Sequence, residues 1–193
     1  MSTRYRQFAS RLLAVASITV GATSCSKGPE PTSTMSAATA DTVATAEHGA
    51  YLATIAGCHD CHTPGAFYGQ PDFQRALSGS ELGWMGPWGT SYARNLTPDQ
   101  ETGIGAWSED DIIRALQTGK RPDGSDLRPP MPWPDFAHMN RRDVRSLAMY
   151  LKSIVPVSHK VPDALPPGPM PHGTAIILPP PPAWDAPKAP AKS

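Results

Sequence analysis

Three segments of the central chain are predicted to be helical. They cover about residues 46–56, 108–119 and 140–156, and in the last two the apolar residues recur at the spacing of one helix face. No stretch of this region has a convincing strand pattern. The intervening segments 78–89 and 121–134 are dense in glycine and proline, and loops of that length usually pack on a ligand or serve a function. The pattern therefore predicts an all-α domain whose helices and long loops wrap around a ligand.

Two of the predicted helices carry clear start and stop signals. Ser108 can cap the second helix, and Asp111 three residues later has the position of the acidic partner in a capping box. Gly119 offers that helix a stop, because glycine tolerates the left-handed conformation at a helix end. Asn140 can cap the third helix, and Pro156 ends it. The sequence therefore predicts where both of these helices begin and end.

The two ends of the chain differ in composition from residues 46–157, which we expect to form the folded domain. Residues 1–25 have a basic start, a short apolar run and then small residues, which is typical of an export signal. Residues 26–45 are rich in serine, threonine, alanine and proline and predict a flexible linker. Residues 158–193 form a proline-rich tail. We expect the tail to be extended coil, although Ile176, Ile177, Leu178 and Trp184 could pack on the domain or on a partner.

Cys25 follows the small residues at the end of the export signal. Ala22, Thr23, Ser24 and Cys25 resemble the lipobox of bacterial lipoproteins, with alanine at position 22 where leucine is commonest. A lipid on Cys25 would anchor the mature chain to a membrane on the periplasmic side. The alternative is ordinary cleavage nearby, which would leave Cys25 as a spare thiol.

Charge excludes one class of partner. The formal net charge of the whole chain is zero, and residues 46–157 contain 10 basic and 13 acidic residues. A mildly acidic domain without a basic stripe has no electrostatic footprint for nucleic acid. We therefore expect no nucleic-acid partner.

The strongest chemical signal is the sequence Cys58-His59-Asp60-Cys61-His62, a C-x-x-C-H haem attachment motif. Two thiols three residues apart fall on one side of a helical turn, so both can form thioethers to the porphyrin. The histidine that follows can supply a nitrogen ligand to the iron. A structural zinc site would need four ligands, and a thioredoxin-like dithiol would need a βαβ context. One such motif predicts one covalent haem c.

A methionine is expected as the second axial ligand, because methionine and histidine together raise the reduction potential of a haem iron. Met131 is the first candidate, since four prolines between positions 129 and 134 restrict the backbone that presents its thioether. Met85 is the second candidate. A haem without a methionine ligand remains the third possibility.

Several short motifs follow one another along the core. They are Tyr51 and Leu52, residues 58–63, 95–99 and 102–105, Trp107, Gly119, residues 122–124, Met131 and Pro132, and Tyr150 and Leu151. In this order they resemble the bacterial class I cytochromes c, and most closely the haem domains of cytochrome subunits of membrane-linked alcohol and gluconate dehydrogenases. The resemblance implies the class I cytochrome c fold and supports Met131 as an iron ligand.

Three polar residues are candidates for contacts with the haem propionates. They are Arg94, Asn95 and Trp107, since an arginine suits a carboxylate and a buried indole N–H seeks a partner. The alternative is that Trp107 is a core aromatic residue and Arg94 is solvated.

The sequence predicts a periplasmic single-haem electron carrier, rather than an enzyme, with redox proteins as partners. Two alternatives stay open. One is an enzyme or a gas or redox sensor with an open iron site, and the other is a docking subunit whose haem serves a dehydrogenase complex.

Overall fold

The computed structural model describes residues 43–171 and 173–179. The helices are α1 (Ala46–Ile55), α2 (Cys58–His62), α3 (Glu109–Thr118), α4 (Trp133–Phe136) and α5 (Arg141–Ser153), with two 3-10 turns at Ala66–Tyr68 and Phe73–Arg75. The strands are β1 (Gly83–Gly86), β2 (Gly89–Tyr92) and β3 (Ala175–Ile177). The three helices predicted from the sequence are confirmed as α1, α3 and α5.

The predicted caps are confirmed where α3 and α5 begin. Ser108 and Asp111 form a reciprocal capping box, and the side chain of Asn140 accepts a hydrogen bond from the Asp143 amide. Gly119 ends α3 in the left-handed region at φ 68°. Local sequence therefore determines both ends of α3 and the start of α5.

Helices α1 and α5 pack closely, and Gly49 permits the contact. A Cβ atom at Gly49 would lie 2.0 Å from the backbone oxygen of Ser146, so any side chain there would force the helices apart. Leu52 and Ala53 of α1 are buried together with Leu147 of α5. A second group of buried residues joins α5 to α3, and its members are Leu77, Ile104, Ile112, Ala148 and Leu151.

The prediction of an all-α fold is wrong, because the described residues include a three-stranded mixed sheet in the order β2-β1-β3. Strands β1 and β2 form an antiparallel hairpin in which Gly86 pairs with Gly89. Strand β3 runs parallel to β1, with Gly83 opposite Ala175. The strands have only three or four residues each, so they are too short to show alternation in the sequence, and β1 and β2 also begin with glycine. Strand β3 also comes from the tail, far from β1 along the chain.

The described part of the tail packs on the domain. Val161 is buried, and the backbones of Leu165 and Thr90 exchange two hydrogen bonds of 2.9 and 3.0 Å. Ile176 and Ile177 lie in β3, so of the two possibilities left open for them, packing on the domain is the one observed. Trp184 lies outside the described residues, as do the export signal, Cys25 and nearly all of the predicted linker.

Among the described residues, no helix combines the length and the apolar character needed to cross a bilayer.

Candidate functional site

A mostly apolar cavity of about 610 Å³ lies between the helices and the long loops. Its apolar walls come from α3, α5 and the loop before α3, and include Ile104, Ile112, Ala115, Leu147 and Leu151. The segment that contains α4 and the residues before it closes another side. All the site residues predicted from the sequence line this one cavity, and they are Cys58, Cys61, His62, Arg94, Asn95, Trp107 and Met131.

The C-x-x-C-H motif forms the short helix α2 at one wall of the cavity. The helix begins after Gly57, whose φ of 68° places it in the left-handed region and turns the chain out of α1. Cys58 and Cys61 lie one helical turn apart and are not joined by a disulfide. Burial raises the pKa of the Cys58 thiol to about 11, and burial also raises the pKa of Cys61. Both sulfurs are therefore present as neutral thiols on an apolar wall.

His62 ends α2 as a buried side chain with a fixed ring orientation. Its Nδ1 lies 2.7 Å from the backbone oxygen of Arg94 and must donate, because a carbonyl can only accept. The hydrogen therefore sits on Nδ1, and Nε2 keeps its lone pair. Burial lowers the pKa of His62, although the hydrogen bond to Arg94 opposes that effect, so the ring is neutral near pH 7. A neutral imidazole with a free Nε2 is the form that binds metals.

Met131 and Met85 occupy different places in the fold. Met131 lines the cavity, and its amide donates a 3.2 Å hydrogen bond to the backbone oxygen of Arg128. The hydroxyl of Ser91 in β2 donates to the backbone oxygen of Pro129 and so ties this proline-rich loop to the sheet. Met85 lies in β1 and is not among the residues that line the cavity. Of the two candidate thioethers, only that of Met131 is at the same cavity as His62.

These residues fit a haem c. The cavity offers an apolar enclosure for a large flat ring, two free thiols for covalent attachment, and a neutral histidine next to them. A thioether is available at the same cavity, and a histidine with a methionine is the ligand pair found in cytochromes c.

Comparison with known proteins points to one family of haem domains. The chain is 38% identical over 120 residues to the cytochrome c subunit of a quinone alcohol dehydrogenase from Gluconobacter oxydans, covering 61% of this chain and 23% of that subunit. It is 36% identical over 125 residues to the cytochrome c subunit of gluconate 2-dehydrogenase from Pantoea cypripedii, covering 64% and 26% of the two chains. It is 32% identical over 111 residues to a diheme c-type cytochrome from Cereibacter sphaeroides, covering 58% and 36%.

The core of this chain resembles the haem domains of cytochrome c subunits. The chain spans about a quarter of the length of the dehydrogenase subunits it matches. No family model matches the sequence.

Asn95 has a structural position in this cytochrome c-like core. Its Nδ2 donates to the hydroxyl of Thr102 at 3.0 Å and to the backbone oxygen of Val157 at 2.8 Å. Its Oδ1 accepts from the amide and the hydroxyl of Thr97 at 2.9 and 2.7 Å. Two donors and two acceptor positions are thus all used, and the amide has no capacity left for a ligand. Asn95 shapes the cavity wall.

Arg94 and Trp107 line the same cavity with free polar groups. Nη1 of Arg94 donates to the backbone oxygen of Pro162 at 2.8 Å, which leaves most of its five N–H groups for other partners. The indole N–H of Trp107 has no hydrogen-bond partner among the described residues, while the backbone oxygen of Trp107 accepts from Lys152 Nζ at 2.8 Å. Their contact with propionates stays a prediction.

Two further arginines line the cavity, Arg121 and Arg128, which were not among the residues predicted from the sequence. They flank the glycine at position 124 in a loop whose composition indicated only turns. The signal that could have found them is the presence of basic residues shortly before the candidate ligand Met131.

The zinc alternative would need more ligands beside the cysteine pair, and residues 43–171 and 173–179 contain no group of three or more histidine, cysteine or acidic side chains placed to hold a metal.

Proposed function

We propose that this chain binds one haem c covalently and serves as an electron carrier. The observation that supports the proposal best is that Cys58, Cys61, His62 and Met131 all line one apolar cavity. When bound, haem c supplies an iron centre that accepts and releases one electron at a time. The related proteins are named as cytochrome c subunits, which agrees with a carrier and not with an independent catalyst.

The residues of the cavity have distinct tasks in this proposal. Cys58 and Cys61 hold the cofactor through thioether bonds, so it stays attached even when the fold opens. His62 binds the iron through Nε2, and its hydrogen bond to the backbone of Arg94 fixes the ring. The thioether sulfur of Met131 would be the second protein ligand of the iron. The apolar walls exclude water, and a dry environment is one of the means by which proteins set a reduction potential.

We also propose that the redox partner is a dehydrogenase. The relatives belong to alcohol and gluconate dehydrogenases by name, and a further relative is the cytochrome subunit of a fructose dehydrogenase from Gluconobacter japonicus. A haem-bearing docking subunit of such a complex is the second candidate function. Copurification with an alcohol, gluconate or fructose dehydrogenase would favour the subunit, whereas reduction by such an enzyme in diffusional encounters would favour the free carrier.

The place of action in this proposal is the periplasm, with Cys25 as the lipid-bearing residue. The support is the sequence of residues 1–25, which has the order of an export signal followed by a lipobox-like segment. A tether of the length of residues 26–45 would let the domain reach partners on the membrane surface.

A visible spectrum of the purified protein tests the proposal. We expect the alkaline pyridine spectrum of haem c with one haem per chain, sharp bands in the reduced protein, and no change on addition of carbon monoxide. Rapid binding of carbon monoxide to the wild-type protein would instead support the open-site enzyme or sensor. Protein purified from a strain with intact haem-attachment machinery but without covalent haem would refute the proposal.

A further inference from the structure

Three arginines, Arg94, Arg121 and Arg128, line the cavity together. None of the three takes part in an ion pair of the described residues, whose paired cations include His48, Arg75, Arg114, Lys120, Arg145 and His159. The three cavity arginines therefore have no carboxylate partner within the described part of the chain. Glu101 also lines the cavity, and Asp123 lies near Arg121, but neither is paired with them.

The tail holds two of these arginines in place. Nη1 of Arg94 donates to the backbone oxygen of Pro162 at 2.8 Å, and Nη1 of Arg128 donates to the backbone oxygen of Leu165 at 3.2 Å. Ala164, between these two positions, lines the cavity as well. One Nη1 of each guanidinium is thus used to fix the side chain, and the remaining N–H groups are free for another acceptor.

Arg121 lacks even such an anchor. Its backbone closes a tight turn with Ser125 and Gly124, but its guanidinium has no hydrogen bond among the described residues. The side chain is partly buried, and burial lowers the pKa of Arg121. The neighbouring charges of Arg94 and Arg128 lower it further, against the opposing effect of Asp123. Like charges that are close and partly removed from water are unfavourable unless an anion joins them.

We infer that Arg121 and Arg128, together with Arg94, form the carboxylate-binding end of the cavity and hold the two propionates of haem c. The inference rests on the proposed function. The rest of the cavity wall is mostly apolar and offers few partners to a carboxylate. A guanidinium matches a carboxylate with two parallel hydrogen bonds, which a lysine cannot do. The tail would then be part of the binding site, because its backbone oxygens position two of the three arginines.

The test compares holoprotein variants that lose one positive charge at different places. Arg121→Gln and Arg128→Gln remove a cavity cation, whereas Arg114→Gln removes a cation that is paired with Asp111 and does not line the cavity. The midpoint potential is measured by redox titration, and the propionate bending bands by resonance Raman spectroscopy. A nearby cation favours the reduced haem, which carries one more negative charge, so each cavity variant should have a lower potential than Arg114→Gln.

The lysine variants Arg121→Lys and Arg128→Lys separate charge from geometry. Their midpoint potentials should stay close to that of the wild-type protein, because the positive charge remains. Their propionate bands should shift, because a lysine cannot form the paired hydrogen bonds of a guanidinium. If the glutamine variants yield no holoprotein, the lysine variants alone test the inference: shifted propionate bands support it, and unchanged bands contradict it. Potentials and bands that match those of Arg114→Gln would overturn the inference while the haem spectrum still supports the proposed function. Absence of haem c from the wild-type protein would refute the proposed function itself.

Discussion

The side-chain amide of Asn95 donates a hydrogen bond of 2.8 Å to the backbone oxygen of Val157. Val157 lies just beyond the end of α5, and the amide of Val157 donates a hydrogen bond of 3.0 Å to the hydroxyl oxygen of Thr97. The wall of the cavity is thus fastened to the point where the chain leaves α5 and enters the tail. Because Arg94 precedes Asn95 and its backbone oxygen accepts from His62, this connection also supports the orientation of the histidine.

Replacement of Asn95 by alanine should lower the free energy of unfolding of the holoprotein by about 3 kcal/mol, since buried partners would lose their hydrogen bonds. Asn95→Asp should be at least as harmful near neutral pH. A carboxylate lacks the two N–H donors and would place a negative charge beside the backbone oxygen of Val157. Urea denaturation followed by the visible absorption of the haem measures both effects.

Asn140→Ala is the matched control for Asn95→Ala. Asn140 caps α5 at an exposed position, so its loss should cost about 1 kcal/mol. If Asn95→Ala destabilises the protein no more than Asn140→Ala does, the network around Asn95 is not important for stability.

Met131→Ala should leave the haem iron with a coordination position that an external ligand can take. The thioether favours reduced iron, so its removal should lower the reduction potential. Carbon monoxide should then bind readily to the variant and not to the wild-type protein. The weak absorption band of the bond between methionine sulfur and ferric iron should disappear in Met131→Ala.

Two other methionines serve as controls for Met131. Met85 lies in β1 and does not line the cavity, and Met139 packs beside the core formed by α1 and α5. Met85→Ala and Met139→Ala should both keep the absorption band. Persistence of the band in Met131→Ala would assign the sixth ligand elsewhere, and its loss in Met85→Ala would give that role to Met85.

The helices of this fold could be predicted because their signals are local. Ser108 and Asp111 lie within one turn of each other, and so do Asn140 and Asp143, so the residues that start each helix can be recognised without knowledge of the rest. The C-x-x-C-H motif is local in the same sense, because its chemistry depends on one helical turn.

The sheet and the roles of the polar residues could not be predicted, because their partners are distant in sequence. Strand β3 pairs with β1 through contacts such as the 2.7 Å hydrogen bond from the amide of Leu178 to the backbone oxygen of Met85. Asn95 could be recognised as a polar residue of the motif at residues 95–99. Its partner Val157 is 62 positions further along the chain, so its structural role was not visible.

Cys25→Ser tests the proposed lipid anchor. If Cys25 carries a lipid, wild-type protein should fractionate with membranes, and the variant should be released to the soluble periplasmic fraction or remain as an uncleaved precursor. Mass spectrometry of the mature amino terminus should show an acylated Cys25 in the wild type. A soluble wild-type protein that begins beyond residue 25 would contradict the proposal.

The double variant Cys58→Ala/Cys61→Ala should be largely unfolded. It cannot hold haem covalently, and without the ring the mostly apolar walls of a cavity of about 610 Å³ would be exposed to water. Typical domains are only marginally stable, so the loss of this buried apolar surface should be enough to unfold the chain. Circular dichroism during heating should show no cooperative transition. A transition like that of the holoprotein would show that the core folds without the cofactor.

Asp99→Asn should reduce the sensitivity of the fold to acid. Oδ1 of Asp99 accepts from the hydroxyl and the amide of Thr102, both at 2.7 Å, and from the amide of Glu101 at 3.2 Å. These hydrogen bonds, that of the Thr102 hydroxyl first, hold the pKa of Asp99 below its ordinary value. The ionised form therefore stabilises the fold above about pH 4, and this contribution is lost as the pH falls through the lower pKa of the folded state. Asparagine keeps an oxygen for the same three donors but does not titrate, so urea unfolding between pH 7 and pH 3 should show the wild type losing more stability than the variant. Parallel stability curves over this range would contradict the prediction.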